Sequence, residues 1–131
     1  MDKSKKILAE ISAGELFDKI SILEIKCEKI TDSESLKQVK KEHAILINIK
    51  DSIKKIDGID ILYKEIKEVN LQLWSIEDKI RICEKNKDFG NKFIELARNV
   101  YLNNDKRARI KSEINRIYGS NIKEIKQYVD Y

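Results

Sequence analysis

Seven apolar residues, Leu62, Ile66, Val69, Leu73, Ile76, Ile80 and Cys83, follow one another at spacings of 4, 3, 4, 3, 4 and 3. A seam held over three heptads falls on a single stripe only if the backbone is helical. A second line with the same spacing runs beside it: Tyr63, Lys67, Asn70, Trp74, Glu77, Arg81 and Glu84. The predicted helix therefore has an oily face and a flank that sets the only Trp of the chain among an amide, a carboxylate and a guanidinium. Running from about Ile59 to Lys87, it spans on the order of 43 Å at about 1.5 Å per residue. It is expected to be the long central helix of a bundle.

Composition agrees with this. The 131 residues include no Pro and four Gly, and 38% are charged while 41% are hydrophobic, a mixture suited to helices with one buried stripe and charged outer faces. The glycines act as punctuation. Ser12 and Glu15 have capping-box spacing and open a first helix to about Ile30, with Leu16, Ile20, Leu23, Cys27 and Ile30 as its stripe. Thr31-Asp32-Ser33 forms a turn and caps a second helix from about Glu34 to Ile56, burying Leu36, Val39, Leu46, Ile49 and Ile53. Asp57-Gly58 reverses the chain into the central helix, and Asn86 to Gly90, with Asp88 as a cap, breaks it again.

A fourth segment starts near Phe89 and is interrupted by Asn103-Asn104-Asp105, three poor helix formers, so either one helix continues or a new one starts at Asp105. Gly119 supplies the stop, and residues 121–131 read as a short C-terminal helix or a tail. The expectation is all-α: a single domain over residues 1–131, an up-and-down bundle of four or five helices. An over-long helix with a heptad seam, and Trp74 at its margin, predicts a homo-oligomer, most simply a dimer. No run is long enough to cross a bilayer, and the start lacks the apolar stretch of a signal peptide; a cytoplasmic protein without a membrane partner is expected. Cys27 and Cys83 lie on apolar stripes and read as buried thiols.

The net charge of +4 sits wholly between Arg98 and Arg116, where six bases outnumber two acids. Arg98, Tyr101, Asn104, Arg107 and Lys111 follow one helical face, suited to a phosphate or carboxylate. Asn70, Trp74, Glu77 and Arg81 form a possible binding wall, with Trp74 as a stacking plate. In an antiparallel bundle these two lines meet, and a helix break at Asn103-Asn104-Asp105 would add free N–H groups beside Arg107 and Lys111. The Ser12-Ala13-Gly14 opening is a second possible phosphate cradle, against ordinary capping.

Carboxylate pairs at Glu15/Asp18, Glu24/Glu28 and Glu65/Glu68 share helix faces and could hold Mg²⁺, though acids at such spacings arise readily in so charged a chain. No metal or cofactor is otherwise expected. His43, on the stripe of the second helix, reads as a half-buried, hydrogen-bonded histidine. One short basic segment makes nucleic acid an improbable partner.

The stretches ISAGELFDKISILEIK (Ile11 to Lys26), LWSIEDKIR (Leu73 to Arg81) and LARNVYLNNDKRARIKSEIN (Leu96 to Asn115) resemble a domain-of-unknown-function family of small all-helical bacterial and phage proteins. The resemblance spans nearly the whole chain and implies one intact helical domain; it carries no activity or ligand. The residues themselves favour a binding module for a small anionic ligand, such as a nucleotide, sugar phosphate or nucleotide-sugar. The alternatives are an enzyme acting on such a metabolite, with Glu77, Asp78 or Glu24/Glu28 as base or Mg²⁺ ligands, and a bundle that only binds proteins.

Overall fold

The structure, a computed structural model, describes residues 5–131. Residues 1–4, the opening of the start read above for a leader, lie outside the described residues. The described residues form four helices and no strand: α1 Ala13–Lys29, α2 Ser33–Ser52, α3 Ile59–Lys85 and α4 Asn91–Tyr118.

Local chemistry accounts for the ends. The Ser12 side chain accepts from the Glu15 backbone N–H and the Asp32 side chain from that of Ser35, so both caps sit where the sequence puts them. Gly58, with φ of 95°, and Gly119, with φ of 60°, take left-handed conformations that open α3 and close α4. At the third junction Asp88 accepts from the Gly90 N–H, and Gly90 itself occupies the cap position.

The heptad seam finds its partner inside the chain. Ile66, Val69, Ile76 and Cys83 are buried, Leu62, Leu73 and Ile80 half-buried, and α3 packs along α4 as a long hairpin joined by residues 86–90. Phe17, Ile59, Ile66 and Ile114 form the centre of the core, bringing α1 onto that hairpin.

Two expectations are corrected. The helix at the hub is α1 rather than α3: α1 packs against all three others, while α2 packs against α1 alone. Consequently α2 contains no fully buried residue. Leu36, Val39 and Leu46 are half-buried, and Ile49 and Ile53, expected inside, are exposed. A helix with one neighbour has only one narrow stripe to cover.

The count is four because α4 runs unbroken through Asn103-Asn104-Asp105. The Asn103 side-chain amide donates to the Asn99 carbonyl one turn earlier, so a residue that often ends helices bonds back along this one. Residues 121–131 form no helix; they run back along α4, where Glu124 accepts from Lys111 and Tyr131 donates to Asp105. No helix among the described residues is long and apolar enough to cross a membrane. Both cysteines are free, Cys83 buried and Cys27 half-buried.

Two substitutions separate the core from the α2 layer. Ile66→Ala is expected to lower unfolding free energy by about 2–5 kcal/mol by leaving a cavity, whereas Val39→Ala on α2 removes roughly 1 kcal/mol or less, since its burial is partial. Urea denaturation of the two variants checks this; equal losses would show α2 to be as integral as the hairpin.

Candidate ligand-binding site

The polar centre of the molecule lies on α1, where Gly14, Asp18, Ser21 and Ile25 follow one another at heptad spacing and are all buried. Facing them from α4 are Arg107, Lys111 and Asn115, each one turn from the next. The facing order is reversed: Asn115 and Lys111 lie at Gly14, Arg107 at Asp18, so α1 and α4 pack antiparallel.

Asp18 is 1% exposed and fully occupied. Its Oδ1 accepts from Asn70 Nδ2 at 2.9 Å and from Arg107 Nε at 2.9 Å, and its Oδ2 accepts from Arg107 Nη2 at 2.5 Å. Asn70 Nδ2 also donates to Ser21 Oγ at 2.8 Å, and Ser21 donates to the Asp18 carbonyl at 2.7 Å. One carboxylate thereby ties α1, α3 and α4 together. The hydrogen bonds that Arg107 donates to Asp18, strengthened by the carboxylate charge, hold its guanidinium in the protonated form above the usual arginine range. Lys111 donates to Glu15 at 2.9 Å and to Glu124 at 2.8 Å, and lies 3.9 Å from Asp18. Burial alone would lower the Lys111 ammonium, but the hydrogen bonds to Glu124 and Glu15 outweigh it and raise the pKa.

The start of α1 is closed to anions. The Ala13 N–H donates to Ser120 Oγ at 3.0 Å, the Gly14 N–H to Asn115 Oδ1 at 2.6 Å and the Glu15 N–H to Ser12 Oγ at 3.2 Å. Gly14 is there for contact: a Cβ would stand 2.5 Å from the Lys111 carbonyl oxygen. Ordinary capping and close packing use every group that the phosphate reading required.

Two of the three carboxylate pairs are likewise engaged, while Glu65 and Glu68 form no ion pair with the described residues and line a surface groove with Lys106 and Arg109. Lys67 donates to both Glu24 and Glu28, at 3.1 and 3.0 Å, and Tyr63 donates to Glu24. Glu15 and Asp18 serve Lys111 and Arg107. Among the described residues no three His, Cys, Asp or Glu side chains gather as a metal site. His43 is half-buried as expected, but its Nε2 has no hydrogen-bond partner among the described residues, and the same holds for Asn103 Oδ1.

Of the nine residues singled out for ligand binding, the structure brings five together. Asn70, Trp74, Glu77, Arg81 and Arg107 line one groove of about 320 Å³, with Ile22 and Ile25 of α1, Leu73 and Asp78. Trp74 is half-buried, so a ring face remains available, and Glu77 accepts from Arg81 at 3.1 Å along the exposed rim. Lys111 lies in the buried charge cluster instead. Tyr101 packs edge-on against Tyr131, Arg98 stands one turn earlier on the exposed side, and half-buried Asn104 does not line the groove. Because α4 is continuous, no new helix start adds N–H groups at Asn104. Half of the six bases of this segment are spent internally: Arg107 on Asp18, Lys111 on Glu15 and Glu124, and Arg116 on Glu113.

Residues 7–130 match the sequence model of a family of unknown function, DUF6165. The chain belongs to this family. No curated protein and no solved structure matches the chain. The three stretches on which the family resemblance rests also hold Gly14, Asp18, Ser21, Trp74, Arg107, Lys111 and Asn115, most of the buried network and the groove.

Sequence reasoning missed Asp18 as the organiser and weighed Glu15/Asp18 only as a possible metal pair against the commoner solvated or ion-paired face. The signal was present: Gly14, Asp18 and Ser21 share the spacing of a buried face, and charge there requires a partner. It also missed a second cavity, lined by Phe17, Tyr63 and Tyr118 near the end of α2, which shares no residue with the Trp74 groove.

The hydrogen bond from Lys111 holds the Glu124 carboxyl below its ordinary value of 4.5. A carboxylate lowered on folding stabilises fully above the unfolded value and loses that contribution as pH falls through the folded one. The C-terminal segment of this DUF6165 protein is therefore expected to detach from α4 only in acid, below the ordinary glutamate range. NMR titration of Glu124 should show a midpoint under 4.5 in the native chain and a return to the ordinary value in Lys111→Met; an unchanged midpoint in the variant contradicts the pairing.

Proposed function

We propose that this DUF6165 protein is a binding module for a small anionic ligand, held in the groove along the Trp74 flank of α3. The observation that carries the reading is the state of Arg107. Buried Asp18 fixes its guanidinium through Nε and Nη2, while Nη1 makes no hydrogen bond with the described residues and the side chain, 29% exposed, lines the groove beside Trp74. A guanidinium fixed in this way offers directed donors without first losing side-chain freedom.

The charge balance narrows the ligand. Asp18 offsets Arg107, and Glu77 with Asp78 face Arg81, so the groove supplies oriented hydrogen bonds more than net attraction. That suits a single compact anionic group on a ring, as in a sugar phosphate or nucleoside monophosphate, over a polyphosphate. Trp74 would cover the ring, and Asn70 and Glu77 would meet hydroxyls. Binding without turnover is favoured over the enzymatic reading because Glu24 and Glu28 are already committed to Lys67 and Tyr63.

Self-association belongs to the same proposal. With the heptad seam satisfied by α4, one apolar patch left for a second copy is Ile82, Phe89 and Ile94 at the free end of the α3–α4 hairpin, all about half exposed. Sedimentation at micromolar concentration is expected to show a dimer that Phe89→Glu dissociates; a monomer throughout contradicts it.

Trp74 is the only Trp, so its fluorescence reports the groove directly. Titration with uridine monophosphate and with a hexose phosphate is expected to give a saturable change and a raised Tm. Arg107→Lys, which cannot keep the two-point contact with Asp18, is expected to weaken binding by about tenfold or more. Unchanged fluorescence and Tm across both compounds contradict the proposal.

A further inference from the structure

The cavity at the end of α2 is built from residues of all four helices and of the turn between α2 and α3. It holds about 290 Å³, close to the lower end of the range of about 300–1,000 Å³ usual for small-molecule sites. Its floor is aromatic. Phe17, buried in the core, meets Tyr63 edge-on with ring centroids 6.3 Å apart and Tyr118 at 5.5 Å. Ile59 is buried beside them. Neither Tyr118 nor Phe17 spends a polar atom here: the Tyr118 hydroxyl makes no hydrogen bond with the described residues, while the Tyr63 hydroxyl is turned to Glu24.

The rim is cationic in a selective way. Of its lysines, Lys55 is paired with Asp60 at 3.0 Å, but Lys50 and Lys54 form no ion pair with the described residues. Glu24 on the wall is committed to Tyr63 and Lys67, which leaves Asp51 as the one uncommitted acid beside two uncommitted ammonium groups. An apolar ring floor under a pair of free cations is complementary to a ring that carries one anionic group. Since α2 packs on α1 alone, its last turn can adjust to admit such a ligand without disturbing the α3–α4 hairpin.

We propose that this cavity is a binding site for a small aromatic ring bearing one anionic group, with the ring on Phe17, Tyr63 and Tyr118 and the carboxylate or phosphate between Lys50 and Lys54. The site is independent of the Trp74 groove, with which it shares no residue.

The test is amide NMR on the isotope-labelled full chain titrated with phenyl phosphate and, separately, benzoate, inorganic phosphate and phenol. Phenyl phosphate is expected to shift Ile53, Ile59, Tyr63 and Tyr118 saturably, about tenfold more tightly than phosphate or phenol alone; benzoate binding equally well would show that charge on the ring, not phosphate geometry, is recognised. The double variant Lys50→Gln/Lys54→Gln, at surface positions outside any ion pair, is expected to keep the native Tm and lose about tenfold in affinity. Tyr118→Leu is expected to weaken phenyl phosphate while leaving phosphate alone unchanged, and Arg107→Lys to leave this site untouched, so its fate is read separately from that of the groove. Shifts confined to Trp74 and its neighbours, equal response to inorganic phosphate, or full binding by the double lysine variant would each overturn the proposal.

Discussion

A carboxylate buried to 1% exposure is the constraint around which this molecule is arranged. Taking the Asp18 charge out of water costs several kcal/mol, and the expense is offset only where donors converge with good geometry. Asn70 from α3 and Arg107 from α4 supply them, so α1 has one register in which its buried face is satisfied. Sliding α1 by a turn would leave a charge unpaired in the core. Gly14 enforces the same register sterically, since only a residue without a side chain allows the Lys111 carbonyl so near. Apolar packing of Phe17, Ile59, Ile66 and Ile114 provides the drive to assemble, and the polar line decides the alignment.

What could be seen in the sequence followed from short-range chemistry. The seam from Leu62 to Cys83, the caps at Ser12 and Asp32, the reversal at Gly58 and the stop at Gly119 depend on residues a few positions apart, and the structure has each of them. The misreadings came from tertiary contacts. Asn103-Asn104-Asp105 has the composition of a break, yet Asn103 bonds back to Asn99 and α4 passes through. The pattern of Ile49 and Ile53 on α2 promised burial, but no second helix reaches that face. Which helix sits at the hub is likewise decided by contacts that no local pattern encodes.

The candidate groove was half visible for the same reason. Asn70, Trp74, Glu77 and Arg81 are neighbours on one helix flank, and helical spacing alone unites them. Joining them to Arg107 required an antiparallel α3–α4 pair, a reasonable expectation from the short link between them. The fate of Arg107 and Lys111 required knowing that α1 and the C-terminal segment bring acids to them. Half of the bases in that segment, Arg107, Lys111 and Arg116, are thus paired charges, and under the proposal above the groove would recognise by orientation rather than by attraction. Specificity would then rest with Trp74 and with the direction in which Asp18 holds the guanidinium.

The most direct test of this account is a double-mutant cycle between Asp18 and Arg107, using Asp18→Asn, Arg107→Gln and the double variant under urea denaturation. Residues that share a buried charge pair should be strongly non-additive, with a coupling of about 1–3 kcal/mol, the double variant falling well short of the summed losses. Coupling near zero, with the two single losses simply adding, would contradict the claim that this pair sets the register of α1 and positions the groove.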